Sequence, residues 1–505
     1  MSLPAATVEA KDNTATLSDA SQDPSFGPAP APKSDSEQGD IYDRLSPRRK
    51  AVITAVVSFC GFLAPMSSTA VLSAIPEVAS AFNTTGTIVG LTNAIYLVFM
   101  GISPCFWAPL SQVYGRRWIS LSSAFLFFVC SLGTALSPNL AAFFIFRALT
   151  AFQGTSFLII GTSCIGDMYR PTERATALGW YLSGAIIGPA IGPFIGGVIV
   201  TYRSWRVIFY LQTAFGGLAT ILVCFFQQET IHRKRSEELL GLPVLKKARL
   251  LWQWTNPIRV FKLYRYPNFA VASAMLVWTQ YSILTPIRYI INPRFGLKTP
   301  IQSALFYLAP GLGSLAGTFV GGRWADHTVK QWMRIRGTRV PEDRLRSCLP
   351  FLGALVPGSI LIYGWSIEKR AGGIPLPVIV MFLQGCGQLI CFPSLNAYFL
   401  DVMQSRSAEA VASNYMARYL LAAVASAVVL PAVEGIGVGW FSTITMAVLV
   451  LSAAGIYATI LWGESWRDTI QRKQQARGEK EEKVPVSESV SIEPQCNVQD
   501  RKDPV

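Results

Sequence analysis

Residues 184–197 read GAIIGPAIGPFIGG, an apolar stretch in which glycine recurs every four residues. In a helix, that spacing makes one smooth face on which a second helix can approach closely. Pro189 and Pro193 lie in the same stretch and bend the helix, because proline removes a backbone donor. The surrounding apolar block, residues 176–200, is long enough to cross ~30 Å of hydrocarbon. The stretch therefore predicts a membrane-spanning helix that packs through its small residues, which are Gly184, Gly188, Gly192, Gly196 and Gly197.

The whole chain has the composition of a membrane protein. Of its 505 residues, 51% are hydrophobic and only 15% are charged, whereas a soluble domain has about 25% charged residues. Mean hydropathy is +0.36. Twelve apolar blocks are long enough to cross a bilayer; they lie at 52–75, 88–110, 118–137, 141–166, 176–200, 207–227, 268–291, 302–325, 349–366, 374–399, 409–433 and 437–462. We therefore predict an all-α membrane protein with twelve transmembrane helices.

Lysine and arginine are unevenly distributed between the connectors. If both termini are inside, the inner connectors hold 21 basic residues and the outer connectors hold six. Because cytoplasmic loops carry an excess of Lys and Arg, this asymmetry predicts cytosolic termini. The same bias accounts for the net charge of +14 without a nucleic-acid partner.

The blocks divide into two groups of six. The long inner connector 228–267 separates residues 51–227 from residues 268–462, which predicts two six-helix bundles with the substrate site between them near the membrane midplane. The tails, residues 1–50 and 463–505, have no apolar run and a composition typical of disorder.

The loop after the second block reads PLSQVYGRR, residues 109–117. Gly115 allows a tight turn, and Arg116 and Arg117 can pair with acids at neighbouring helix ends. Asp167 and Glu173 are candidate partners for such a latch; simple anchoring at the lipid headgroups is the alternative. A similar sequence at the end of the eighth block, GGRWADH at residues 321–327, carries Asp326.

An arginine lies inside the fourth block, in RALTAFQG at residues 147–154. An arginine in a membrane span is costly unless it faces protein or water, so Arg147 is predicted to be functional. The alternative is that its side chain reaches out to the nearby interface.

These three stretches resemble motifs of the major facilitator superfamily, and in particular the twelve-span drug:proton antiporters of fungal type. The loop resembles the family's G-x-L-a-D-r-x-G-R-R, with Gln112 where the family usually has Asp and Val113 in place of a basic residue. Residues 147–154 resemble the R-x-x-x-G-x-x-G stretch, in which the arginine is tied to proton coupling. The glycine stretch resembles G-x-x-x-G-P-x-x-G-G, associated with exporters. The resemblance covers roughly residues 45–465 and implies the major facilitator fold and proton-coupled antiport by alternating access.

Charged residues within the spans bear on the substrate. None of the thirteen acids in the hydrophobic region lies at mid-membrane by these spans, whereas Arg147 and Arg418 lie within them. A cavity with fixed positive charge favours anions, since guanidinium groups bind carboxylates. We therefore expect an anionic or neutral organic molecule, such as an organic acid, drug or secondary metabolite. The proton carrier stays open between Glu77, Asp401, Glu434 and the substrate itself.

Polar groups within the spans are the candidate cavity residues. Asn414 and Arg418 share a helix face because they are four residues apart. For the uncharged members, hydrogen bonds between packed helices are an equally good interpretation. The full set is Asn93, Tyr96, Arg147, Gln153, Gln280, Tyr281, Asn396, Asn414 and Arg418.

Other functional classes lack sequence support. The chain has no GxxxxGK[ST] loop for ATP, no HExxH, no GxSxG and no metal-ligand cluster, so we expect neither enzyme activity nor a cofactor nor a metal. The expected partners are a small-molecule substrate, protons and the bilayer, for a protein acting as a monomer in the plasma membrane. An uptake permease of the same fold is the alternative function. Asn83 heads the sequon Asn-Thr-Thr in the first outer loop, where it is a candidate for glycosylation.

Overall fold

Helices make up nearly all of the regular structure. The computed structural model describes residues 42–170, 173–231, 234, 236, 243–255, 278–285, 287–297, 299–337, 340–402 and 407–482, and these contain no β-strand. Within these ranges some side chains are outside the described set, including those of residues 279–281, 396 and 401–411.

The first half of the chain folds into six long helices. Their starts carry local caps: Ser46 Oγ accepts from Arg49 N ahead of the first helix, and Asn139 Oδ1 accepts from Ala142 N at 2.8 Å ahead of the fourth, as expected for N-cap residues. The first helix is continued by a 3₁₀ turn and the short helix Ile75–Ala81. The six helices are α1 (Pro47–Ala70), α2 (Gly86–Tyr114), α3 (Arg116–Ala135), α4 (Leu140–Met168), α5 (Arg174–Tyr202) and α6 (Arg206–Phe226).

The second half is less regular. A helix at Val244–Thr255 lies in the central connector, and several of the later spans contain 3₁₀ or π turns. In the ninth span, the segment Phe351–Leu355 is a π turn between Pro350 and Pro357, since prolines break the regular hydrogen-bond ladder. The principal helices are α7 (Trp278–Leu284), α8 (Leu308–Arg336), α9 (Val356–Lys369), α10 (Pro375–Val402), α11 (Ser407–Ile436) and α12 (Val438–Glu482).

Eleven helical segments of the described residues are long and apolar enough to cross a membrane. They correspond to eleven of the twelve predicted blocks. Much of the remaining block, 268–291, lies outside the described residues, because the description there starts at Trp278.

Successive helices alternate in direction, which gives the protein two ends. We call the basic end the one that carries Gly115, Tyr169 and the connector after α6, because the charged loop motif lies there. The opposite end carries the turns at Asn83, Asn139 and Trp205.

Helix α12 is longer than its sequence suggests. Residues 39–466 form one compact unit. The second unit comprises residues 1–38 and 467–505, of which the structure describes residues 467–482 as the last turns of α12. Residues 463–482, which the charged composition assigned to a tail, are part of this helix.

Glycines set the closest helix contacts. A Cβ built on Gly184 or Gly188 of α5 would overlap backbone atoms of α1 at Ser58 or Phe62, and the same holds for Gly192 and Gly196 farther along. The glycine face predicted from residues 184–197 therefore packs against α1, within the first half of the chain.

The two halves also approach each other closely. A Cβ on Gly197 of α5 would meet Ala304, in the short helix Pro300–Phe306 before α8, and one on Gly311 of α8 would meet Ala190. On the other flank, a Cβ on Gly101 of α2 would lie 3.3 Å from the Met416 carbonyl oxygen of α11. A cavity lies in the space between these two sets of contacts.

Candidate functional site

A cavity of about 140 Å³ lies between the two halves of the chain. This is room for on the order of ten water molecules. The first half contributes α1, α2, α4 and α5, through Pro65, Ser68, Thr69, Met100, Leu158, Leu182, Ala185, Ile186, Pro189 and Ala190. The second half contributes residues in or next to α7, α8, α10 and α11, namely Ile283, Leu284, Tyr307, Pro310, Gly311, Ser314, Gln384, Gln388, Leu389, Phe392, Tyr415, Arg418 and Tyr419.

Arg418 is the one charged residue among these lining residues. Its guanidinium carbon lies 4.1 Å from the centre of the Phe392 ring and 5.5 Å from that of Tyr415. The buried Nε of Arg418 has no hydrogen-bond partner among the described residues. The arrangement stabilises the cation through the two rings and leaves N–H donors for a bound molecule.

Four of the polar lining residues that sequence reasoning missed lie on the helix of Arg418 or on α10. Tyr415 and Tyr419 of α11 stack with ring centres 6.1 Å apart and planes 13° from parallel. In α10, Gln384 Nε2 donates to Gln388 Oε1 at 2.8 Å. The signal for this pair was available in the sequence, because two glutamines four residues apart share a face of an otherwise apolar block.

Arg147 lies elsewhere, in a buried cluster that does not line the cavity. Only 1% of the residue is exposed, and its guanidinium carbon lies 4.7 Å from the centre of the Tyr96 ring and 5.8 Å from those of Phe143 and Phe209. Arg147 therefore faces protein, and the alternative that its side chain reaches out to the interface is wrong.

The cluster connects the two halves. Arg147 Nη2 donates to Asn93 Oδ1 at 3.2 Å, and Asn93 Nδ2 donates to Ser426 Oγ of α11 at 3.2 Å. This relay runs from α4 through α2 to α11. Asn93, Tyr96 and Arg147, predicted to be cavity residues, instead form a contact between the halves.

The remaining predicted cavity residues divide into two groups. Gln153 of α4 and Asn414 of α11 are buried, with 7% and 6% of their surface exposed, and are not among the lining residues. Gln280, Tyr281 and Asn396 lie in described helices, but their side chains are outside the described residues.

At the basic end, the predicted loop motif forms a network around Arg116. Arg116 Nε lies 3.2 Å from Asp167 Oδ2 of α4, and its Nη1 donates to Ser111 Oγ. Arg117 Nη2 donates to the carbonyl oxygen of Cys224 at 2.9 Å. Of the two acids considered as partners, Asp167 pairs with Arg116, whereas Glu173 is exposed just before α5.

The connector after α6 completes this network, which sequence reasoning missed. The backbone N–H of Arg116 donates to Glu229 Oε1 at 2.7 Å, and Thr230 Oγ1 donates to Asp167 Oδ2 at 3.5 Å. Gly115 adopts φ +98°, and a Cβ there would overlap the Glu229 carboxylate. Glycine is therefore required at the turn both for its backbone conformation and for this close approach.

The second half has a different charged cluster at its corresponding end. Asp326 of α8 is exposed. Asp343, only 1% exposed, instead accepts from Arg346 Nε at 3.2 Å and lies 3.6 Å from Arg336 Nη1. The sequence motif at 321–327 thus lies inside α8, which continues to Arg336, while the buried acid comes from the following 3₁₀ turn.

Asn83 lies at the tip of the first turn at the opposite end. It is exposed and adopts φ +50°, a conformation that asparagine tolerates better than most residues. The side chain of the sequon's last residue, Thr85, accepts from Ile88 N at 3.4 Å and caps α2.

Comparisons with known proteins agree on one family. The family model described as "Major Facilitator Superfamily" matches residues 57–427. The chain is 26% identical to "Efflux pump radE" of Floropilus chiversii, over 83% of this chain and 81% of that protein. It is 23% identical to "Citrate exporter 1" of Aspergillus niger, over 85% and 89% respectively. Among solved structures, a D-xylose-proton symporter superposes with a TM-score of 0.62 at 15% identity, over 81% of this chain and 97% of that one.

Proposed function

The chain belongs to the major facilitator superfamily, and from this premise we propose that it exports a small organic anion by alternating access, in exchange for protons. It is a multi-pass membrane transporter, not an enzyme. The observation that carries the proposal is the cavity between the halves, where Arg418 is the single charged residue of the described lining.

The electrostatics of the cavity support an anionic substrate. A fixed guanidinium in surroundings of low dielectric attracts an anion far more strongly than it would in water. None of the lining residues that the structure describes carries a carboxylate, so a cationic substrate such as a polyamine meets no counter-charge from them.

The direction of transport is inferred from the glycine stretch of α5 and from relatives. That stretch resembles the motif associated with exporters, and two relatives are named an efflux pump and a citrate exporter. An uptake permease is the alternative, since the fold is shared with a D-xylose-proton symporter. Substrate accumulation in whole cells that express the chain decides between the two directions. Export predicts less intracellular substrate than in control cells, whereas uptake predicts more.

For proton coupling, Glu77 is the candidate best supported by its position. It is half-buried in the short helix Ile75–Ala81, which continues α1 at the opposite end. Glu434 is exposed, and the side chain of Asp401 is outside the described residues. Proton movement on the substrate itself is the second route, and it predicts that Glu77→Gln leaves the coupling intact.

We further propose that the protein acts as a monomer in the plasma membrane, with cytosolic termini and with sugar on Asn83. The excess of basic residues in the predicted inner connectors supports this orientation. In this proposed orientation the basic end, with Arg116 and Glu229, faces the cytosol.

Counterflow in vesicles tests the substrate charge. Vesicles containing the full chain are loaded with di- or tricarboxylates, with a monocarboxylate, or with cationic dyes. We expect exchange of anions and its loss in Arg418→Ala, while Arg203→Ala, which removes an exposed arginine at the opposite end, retains it. Preference for the cationic dyes contradicts the proposal.

A further inference from the structure

We propose that the cavity selects an aromatic monocarboxylate over polycarboxylates and over non-planar acids. This inference rests on the proposed function, because it names the substrate class for the same cavity. Three features of the lining carry it: the orientation in which Arg418 is held, the number of cations, and the arrangement of aromatic rings.

The first feature is that ring contacts restrict how Arg418 can bind. Phe392 and Tyr415 both lie within cation–π distance of its guanidinium, at 4.1 and 5.5 Å from ring centre to guanidinium carbon. Because the rings occupy the space next to the guanidinium carbon, a ligand can approach Arg418 only through its N–H groups. Among these, Nε has no hydrogen-bond partner among the described residues. A carboxylate is the anion whose two oxygens match parallel N–H donors of a guanidinium.

The second feature is the charge balance. Among the described residues, the lining contains one guanidinium and no other charged side chain. A monocarboxylate bound to Arg418 leaves the cavity neutral. A di- or tricarboxylate brings at least one further negative charge into a largely apolar space without a partner, which strongly disfavours binding.

The third feature is the aromatic wall beside the cation, which consists of Phe392, Tyr415 and Tyr419. Tyr415 and Tyr419 are nearly parallel and belong to the same helix as Arg418, and Phe392 lies across from them on α10. Leu158, Leu182 and Ile186 form part of the wall from the first half. Aromatic rings next to such a wall gain from stacking or edge contacts that a puckered aliphatic ring of equal charge does not make.

Polar groups in the same cavity suit substituents on the ring. Ser68, Thr69 and Ser314 add hydroxyl groups, and the Gln384–Gln388 pair adds amides. Hydroxylated aromatic acids can therefore form hydrogen bonds in addition to the one made by the carboxylate.

Calorimetric binding to the detergent-solubilised full chain tests the proposal without interference from passive diffusion of neutral acids. The probes are benzoate, cyclohexanecarboxylate and citrate at neutral pH. We expect benzoate to bind about fivefold more tightly than cyclohexanecarboxylate, because of the ring contacts, and more than about tenfold more tightly than citrate, because of the uncompensated charge. Equal or tighter binding of cyclohexanecarboxylate or citrate overturns the proposal.

Variants separate the two parts of the recognition. Phe392→Leu is expected to bring the benzoate and cyclohexanecarboxylate affinities together, while the control Phe382→Leu, on the same helix but outside the lining and 37% exposed, leaves their ratio unchanged. Arg418→Gln is expected to make benzoate bind no better than neutral benzamide. An unchanged ratio in Phe392→Leu overturns the assignment of ring selectivity to this wall.

Vesicle counterflow distinguishes failure of this inference from failure of the proposed function. Exchange of citrate but not of benzoate overturns the inference and leaves anion export standing. Exchange of cationic dyes alone overturns both.

Discussion

The backbone N–H of Arg116 donates to the carboxylate of Glu229 at 2.7 Å, although the two residues are 113 positions apart in the chain. Arg116 is the first residue of α3, and the N-cap position before it is Gly115, which has no side chain to accept from the first turn. Glu229 thus caps α3 from the connector after α6, and its Oε2 also lies 3.4 Å from Lys234 Nζ. A carboxylate at a helix N-terminus is favourable because it faces the positive end of the helix dipole.

Removing this cap is expected to weaken the basic end of the first half. Glu229→Gln should destabilise the folded protein by about 1–2 kcal/mol, since it loses the charge and part of the capping hydrogen bond. The measurement is the thermal unfolding midpoint of the solubilised protein, with Glu173→Gln, an exposed acid on the neighbouring connector, as control.

A second substitution tests whether a local acid can replace Glu229. Gln112 lies in the last turn of α2, where the family motif usually has Asp, so Gln112→Asp in the Glu229→Gln background should recover part of the lost stability. Equal midpoints for Glu229→Gln and the native protein would mean that the contact contributes nothing.

Substitutions of Arg147 and Arg418 are expected to impair different steps, turnover for Arg147 and anion binding for Arg418. Arg147→Ala breaks the relay to Asn93 and Ser426, so turnover should fall by about tenfold or more, as a lost hydrogen bond to a charged group is worth about 1.5–3 kcal/mol. Binding of an anion should persist, because Arg147 does not line the cavity. Arg418→Ala should lose binding itself.

These outcomes are read from calorimetric binding and vesicle counterflow on the same preparations. Ser426→Ala, at the far end of the relay, is expected to resemble Arg147→Ala in a milder form. Loss of binding in Arg147→Ala at an unchanged thermal midpoint contradicts the separation of the two roles.

The contact between α5 and α1 predicts a sharp difference between two glycines on one helix. A Cβ on Gly188 would meet the Phe62 carbonyl oxygen at 2.9 Å and Met66 N at 3.0 Å, both backbone atoms that cannot move independently. Gly188→Ala should therefore destabilise the protein by about 1–3 kcal/mol through overpacking.

Gly179 is the matched control, because a Cβ there meets nothing within 4 Å. Gly179→Ala should be neutral or stabilising by up to about 1 kcal/mol, since alanine favours helix over glycine. Thermal midpoints of the two variants, measured in one detergent, make the comparison. A loss at Gly179 as large as the loss at Gly188 would contradict the assignment of the effect to packing against α1.

Asn83 tests the orientation of the chain. Its exposed position at the opposite end predicts a glycosidase-sensitive shift in electrophoretic mobility that disappears in Asn83→Gln and persists in Asn139→Gln, which lies in no sequon. A native protein that carries the shift must have the opposite end facing the lumen or exterior. Modification of an introduced cysteine at the basic end from outside intact cells would contradict the proposed topology.

Much of the architecture was predictable because it depends on local properties of the sequence, namely hydrophobicity and the spacing of small residues. The apolar blocks predicted eleven of the described membrane helices, since backbone groups in lipid must be satisfied within each helix. The spacing of Gly184, Gly188, Gly192 and Gly196 predicted a close helix contact, although it did not identify α1 as the partner. Asp167 could be considered as a partner of Arg116 because both residues lie on the predicted inner side of the membrane. Arg116 follows the second predicted span, and Asp167 follows the fourth.

The sequence by itself determined that this is a helical membrane protein with a close-packed fifth span and with arginines inside its spans. Only the tertiary structure decided where each arginine lies. Arg418 lines the cavity, while Arg147 is buried among aromatic rings in a contact between the halves. The physical reason is that hydrophobicity and helical period are local and repeat along the chain. Which face of α4 or α11 meets the cavity depends on the packing of helices that are hundreds of residues apart, as the contact between Asn93 and Ser426 illustrates.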